Sequence, residues 1–360
     1  MHTPDDHPLA FSPDDEAAWQ RLARGYRLAG LLVSTHRLGL LRCLANGQAT
    51  LDGLARELKA DEQVIEQMCR ALSSAGLLRA DDSGWRLTEA GQRLDADPVA
   101  LAELDSLGVD YDRWGTLHTR ARELRNEEPG TPPDAFGSDH DIATAHRYAL
   151  RLAARHRGQA RRLLAHITPT RPVRVMDIGG ADGFLAREVC ARWPEAECLV
   201  LEVPSMAEVA RQACADKPRI TVLTGDYLGD GQRPGTEPLP DGVDVVVLSH
   251  VLQGIAEDPQ RELVTRAAAA LAPGGCLLSF ESVLRSDERG PIDTILWAVE
   301  QAAQGLHGRL ITSVEQDILI RAAGLAASAA WWVSDASRAV LGVRTAAGVT
   351  PALHATGDLA

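Results

Sequence analysis

The sequence predicts an α/β fold: a doubly wound sheet preceded by a smaller helical domain. Three observations carry this. Residues 173–183 read Val-Arg-Val-Met-Asp-Ile-Gly-Gly-Ala-Asp-Gly, and Phe184–Val189 follow with helical spacing. That is a buried strand, a glycine turn and a helix start, the arrangement by which such sheets approach a nucleotide-like ligand. Glycine lets the backbone pass close to a ligand and take positive φ. Nineteen residues beyond Gly183, Glu202 closes the next apolar run, Cys198-Leu-Val-Leu-Glu. An acid there suits a ribose hydroxyl pair. Finally, apolar runs and helical patterns alternate from residue 173 onward, as in a sheet of parallel strands covered on both faces.

Composition bounds the function. A chain of 360 residues with 45% hydrophobic content accommodates two cored domains. A net charge of −13 argues against nucleic acid or an anionic membrane as partner. Cys43, Cys69, Cys190, Cys198, Cys214 and Cys276 are scattered without a Cys-x-x-Cys pair. This fits a reducing cytoplasm and gives no zinc signature. The polar, acidic start is unlike a secretory leader, and no apolar run reaches the ~18 residues of a membrane helix.

In chain order, residues 12–96 read as a winged helix. Ser12-Pro13-Asp14-Asp15 opens a helix running to Leu32, and a second lies around 38–44. Thr50 caps a helix over 51–58. Asp61 caps another, with Val64, Ile65, Met68 and Leu72 on one face and Gly76 at its end. Two short strands flank Asp81-Asp82-Ser83-Gly84, and Thr88 begins a further helix. The would-be recognition helix carries Asp61, Glu62 and Glu66 against Arg70, which repels phosphates and favours dimerisation or substrate capping over DNA binding.

Residues 97–168 read as a linker or lid: a connector containing Pro98, Trp114 and Glu127–Asp134, then a long helix over 141–167 whose arginines 151–162 form a solvated face. Residues 169–345 carry the sheet. Strands are expected near 173–178, 197–202, 219–223, 243–249, 275–281, 326–332 and 338–344, and helices near 183–192, 205–214, 258–271 and 313–323. Residues 346–360 read as a loose tail.

With these motifs in place, the chain resembles the S-adenosylmethionine-dependent small-molecule O-methyltransferases of the caffeic-acid type, in their bacterial secondary-metabolism branch, over roughly residues 15–345. Val175–Gly183 is similar to the family's first motif, with Ala181 where a third glycine is common. Leu201-Glu202-Val203-Pro204 resembles the ribose-binding segment, Gly225-Asp226-Tyr227 the adenine-contacting one, and Pro273–Glu281 the Pro-Gly-Gly hairpin and its strand. The resemblance implies a class I methyltransferase fold with a dimerisation domain, S-adenosylmethionine as cofactor, a small-molecule substrate and a homodimer. It places Asp177, Gly179, Gly180, Gly183, Glu202, Val203, Asp226, Tyr227 and Ser249 at the cofactor.

The catalytic stretch departs from the pattern. Where the family carries Leu-His-Asp-Trp, this chain has Leu252-Gln253-Gly254-Ile255. Glutamine orients a hydroxyl but does not accept its proton. Gln253, Glu281, His250 and His307 are the catalytic candidates; Asp293 and Trp297 are candidate substrate contacts, with ordinary helix packing the stronger reading of both. Three readings follow: methyl transfer without the usual histidine base, a non-methylating reaction such as hydroxylation, decarboxylation or cyclisation on the same cofactor, or a ligand-binding regulator.

Overall fold

The computed structural model describes residues 18–47, 49–124, 141–227, 239–253, 255–288, 290–303 and 310–355. The helix opening at Ser12, the loop Glu127–Asp134, Gly254 and His307 lie outside them. The chain divides into two compact units, 1–119 and 120–360.

The first unit starts with α1 (Ala18–Leu38), α2 (Leu40–Ala45), α3 (Leu51–Leu58) and α4 (Glu62–Ser74). The hairpin β1 (Leu78–Asp81) and β2 (Gly84–Leu87) follows, then α5 (Glu89–Ala96). Thr50, Asp61 and Thr88 each accept an otherwise orphaned amide from Gly53, Val64 and Gly91. Leu40, Leu54, Ile65, Cys69, Leu72 and Leu78 close the core. Arg70 on α4 is tied to Glu66 at 2.6 Å, so the helix offers no spare cation.

The connector expected after residue 96 is instead helical: α6 spans Pro98–Leu124. Proline fits the first turn of a helix, and the Asp97 carboxylate accepts the Val99 amide at 2.9 Å. α7 (Ile142–Ala165), capped by Asp141, belongs to the second unit.

That unit contains β3 (Ile167–Pro169), β4 (Arg174–Ile178), α8 (Phe184–Arg192), β5 (Glu197–Glu202), α9 (Pro204–Ala213) and β6 (Ile220–Thr224). Then come β7 (Val243–Ser249), α10 (Glu257–Ala270), β8 (Leu271–Ser282), α11 (Ile292–Ala303), α12 (Ser313–Ala322), β9 (Ala326–Trp332), β10 (Ser337–Val343) and β11 (Leu353–Ala355). The main sheet runs β6-β5-β4-β7-β8-β10-β9. Its order turns at β4, flanked by β5 and β7, so the loop after β4 opens at the switch point where ligands bind such sheets.

Side-chain alternation splits the core in two. Met176, Ile178, Leu199, Leu201, Val246 and Leu248 pack on one face. Val175, Cys198, Val200, Val245 and Val247 pack on the other. Helices cover both faces, as a parallel sheet requires.

Two expectations need correction. The sheet is mixed, since β10 runs antiparallel to both β8 and β9. The segment after 345 is not a loose tail as far as Ala355: β11 pairs with β3, Ala352 and Leu353 are buried, and the Ala352 amide donates to Gly274. Residues 356–360 lie outside the described residues. Among the described residues, no helix is long and apolar enough to cross a membrane, and no cluster of three or more His, Cys, Asp and Glu is placed to hold a metal.

Candidate functional site

β4 delivers Asp177 to the switch point. The residue is 1% exposed, and neither carboxylate oxygen has a hydrogen-bond partner among the described residues. Burial, then the charges of Glu202 and Asp182, push its pKa up to about 8. Packing explains the glycine next to it. A Cβ on Gly180 would meet the Asp177 Oδ2 at 2.6 Å.

The turn is held by backbone bonds: Gly179 donates to Leu201 and Gly183 to Gly180. Gly179 and Gly183 lie at φ 71° and 75°, and Ala181 takes φ 50° although it is not glycine. L-residues resist that region, so the turn stores strain at Ala181.

β5 ends at Glu202, which is also buried. Its Oε1 accepts the Ala181 amide and its Oε2 the Val203 amide, both at 2.9 Å, and the Tyr227 hydroxyl also bonds to it. Burial raises its pKa to about 7, against the lowering effect of those three donors. One acid thus ties the glycine turn to the N-cap of α9, Val203, where Pro204 occupies the first turn. Tyr227 is buried over Gly179, where a Cβ would meet its hydroxyl at 2.7 Å and Val251 Cγ2 at 2.8 Å. Asp226 is half-buried just past β6. Asp177, Gly179, Gly180, Gly183, Glu202, Val203 and Tyr227 therefore converge, and Val251 brings the loop after β7 to the same floor.

That loop begins at Ser249, half-buried at the strand end, followed by His250. His250 adopts φ 57°, a left-handed backbone uncommon outside glycine, while its amide extends the β7–β8 ladder to the Phe280 carbonyl at 2.8 Å. Its ring stacks on His156 at 4.0 Å and meets the Phe280 edge at 4.7 Å. Nδ1 lies 3.5 Å from Gln253 Oε1 and 3.4 Å from Ser282 Oγ. Nε2 is buried and has no hydrogen-bond partner among the described residues. Burial, then the facing His156, holds the imidazole well below its ordinary pKa, with Gln253 pulling the other way.

Glu281, wholly buried at the end of β8, accepts the Val251 and Leu252 amides, each at 3.1 Å. Burial lifts its pKa to about 8, opposed by the amides of Leu252, Val251 and Gln253. It shapes the loop that carries His250 and Gln253. Asp293 is exposed and Trp297 half-buried on α11.

Sequence reading missed His156, which lies in a stretch taken as a basic, solvated face. The signal was present. Ala145, Ala149, Ala153, Ala160, Leu163 and Leu164 on α7 are buried at helical spacing, and position 156 continues that stripe.

The O-methyltransferase domain matches residues 116–326, and the O-methyltransferase dimerisation domain matches residues 20–97. The chain is 27% identical over 311 residues to 3-hydroxy-5-methyl-1-naphthoate 3-O-methyltransferase of Streptomyces sahachiroi, covering 84% of this chain and 87% of that one. It is 27% identical over 274 residues to N,N-dimethyltransferase OxyT of Streptomyces rimosus, covering 72% and 76%. The crystal structure of human N-acetylserotonin methyltransferase in complex with SAM superposes with a TM-score of 0.76 at 22% identity, covering 94% of this chain and all of that one.

Proposed function

The chain belongs to the O-methyltransferase family, and from that premise we propose that it methylates a hydroxyl or amine of a small aromatic metabolite with S-adenosylmethionine, working as a cytoplasmic homodimer through its dimerisation domain. The observation that carries the cofactor assignment is the buried, unpartnered carboxylate of Asp177 beside Glu202. Two interior acids around one glycine turn suit a ligand bearing a cationic sulfonium and ammonium together with ribose hydroxyls. The cofactor supplies a methyl group already activated for displacement.

The chain's own part is mostly placement, because an in-line transfer needs nucleophile and methyl aligned. Glu202 offers carboxylate oxygens at the ribose position, and Tyr227 and Asp226 line the adenine side. Ser249 stands at the strand end toward the methionine portion. Gln253 stands on the loop after β7 beside His250. The named activities of the relatives, one on a naphthoate hydroxyl and one an N,N-dimethylation, keep both oxygen and nitrogen acceptors within the proposal.

The test is incubation of the protein with S-adenosylmethionine and a panel of 3-hydroxy-5-methyl-1-naphthoate, N-acetylserotonin and aromatic amines. Release of S-adenosylhomocysteine with a methylated product is expected. Substrate consumed without that release, or a panel wholly inert while cofactor binds, sinks the methyl-transfer reading.

A further inference from the structure

Four features single out His250. Its backbone is strained into the left-handed region, its ring is stacked between His156 and Phe280, its Nδ1 faces Gln253 and Ser282, and its Nε2 is buried with no partner among the described residues. Strain held in place by surrounding structure marks functional positions. A buried ring nitrogen without a partner costs free energy that an ordinary core residue avoids. His250 also precedes Val251, whose methyl group touches the floor of the glycine turn.

From these observations we infer that His250 is the proton acceptor of the methyl transfer, and that Gln253 acts through it. This rests on the methyl-transfer reading above. Gln253 Oε1 faces Nδ1, and an amide oxygen accepts. In the Nδ1–H tautomer the ring donates toward Gln253 Oε1, 3.5 Å away, or Ser282 Oγ, 3.4 Å away, and keeps its lone pair on Nε2. Burial keeps the ring neutral, so the lone pair is free at neutral pH. The groups facing the ring are His156 from α7, Phe280 and Ser282 from β8, and Gln253 from its own loop. The Glu281 carboxylate is turned to the Val251 and Leu252 amides.

The step balances. The acceptor's oxygen–carbon bond forms, the sulfur–carbon bond breaks with its electron pair left on sulfur, and the acceptor's proton passes to Nε2 and then to solvent. Glutamine at position 253 is therefore a positioning residue, three residues downstream of the base it orients.

The test uses the full chain and two readouts. Asparagine tolerates left-handed backbone, so His250→Asn removes the base with the loop preserved. For a phenol from the panel, kcat is expected to fall by about 10²–10⁴, the usual worth of a positioned base. S-adenosylhomocysteine affinity, measured by calorimetry, should be unchanged, and the acid limb of the kcat–pH profile should vanish. Gln253→Ala should shift that limb and lower kcat by less than His250→Asn. An undiminished kcat in His250→Asn, or kcat and cofactor affinity lost together, overturns the inference while wild-type turnover still upholds the proposed function. The second readout needs no turnover. In ¹⁵N-imidazole NMR of the S-adenosylhomocysteine complex at pH 7, His250 should be neutral and protonated on Nδ1. An Nε2–H tautomer or an imidazolium overturns the inference even if every panel compound proves inert.

Discussion

The two halves of one sheet edge use interior acids differently. On the β4–β5 side, Asp177 is sealed in with no hydrogen-bond partner and Glu202 bridges two amides and a phenol. On the β7–β8 side, Glu281 is equally buried, yet one of its oxygens is committed to two consecutive loop amides. Burial lifts all three carboxyls. An acid satisfied by backbone builds a loop, whereas an acid left unsatisfied keeps its bonding capacity for something that arrives. By that criterion Asp177 is left to bind, while Glu202 and Glu281 each hold two backbone amides, Glu281 keeping its Oε2 without a partner among the described residues.

The largest effect expected from this contrast is a separation of two variants. Glu202→Ala should weaken S-adenosylhomocysteine at least tenfold by calorimetry, since each charge-assisted hydrogen bond is worth about 1.5–3 kcal/mol. Glu281→Ala, like Glu202→Ala, should destabilise the fold by about 1–3 kcal/mol for each of the two amides it strands, seen in urea unfolding, yet leave cofactor affinity near wild type. Equal losses of affinity in both would erase the distinction.

A second measurement sharpens it through pH. Asp177 is raised from an ordinary 3.8 to about 8, Glu202 from 4.5 to about 7 and Glu281 from 4.5 to about 8. Between about pH 4 and pH 8 the folded chain therefore retains protons that the unfolded chain releases. These groups stabilise the ligand-free protein most at the acid end of that window. The contribution declines as pH rises and levels off above about 8. Asp177→Asn should flatten the decline by its own share in a series of thermal melts. An unchanged slope would mean that Asp177 is ionised in the empty site. A cationic ligand should offset the decline, so cofactor affinity is expected to rise across pH 7–8 in the wild type and less so in Asp177→Asn.

The smallest effect concerns the turn itself. Gly183 sits at φ 75°, and a Cβ there would meet Cys214 Sγ at 2.7 Å. Gly183→Ala should cost at least the ~1–2 kcal/mol of left-handed strain. The measurement is the urea midpoint, and an unchanged midpoint would show that the turn relaxes more readily than its bonding suggests.

The binding side was legible because its determinants are local: strand, glycine turn and acid follow one another within thirty residues. The caps Thr50, Asp61 and Thr88 are local signals in the same way. What escaped depends on packing or on signals given too little weight. α6 was hidden because Asp97-Pro98 looked like a break rather than a helix start. The antiparallel turn of β10 was readable in principle. Four residues separate it from β9, whereas a parallel return needs a dozen or more. The pairing of β11 with β3 joins segments far apart in sequence, and no periodicity in three residues announces it. His156 and His250 illustrate the same limit, since neither residue type nor spacing says that two rings will stack across the sheet edge.

The distribution of sulfur has a practical consequence. All six cysteines are buried and free. Burial raises the thiols of Cys43 and Cys69 to about 11 and also lifts Cys214 and Cys276. Cys190, lowered to about 7 by its hydrogen bond with Cys198, is only 5% exposed. Alkylating dyes need an accessible thiolate. A single cysteine introduced on either unit would thus take a fluorophore against a silent background, and changes around it during turnover could be followed in an otherwise native chain.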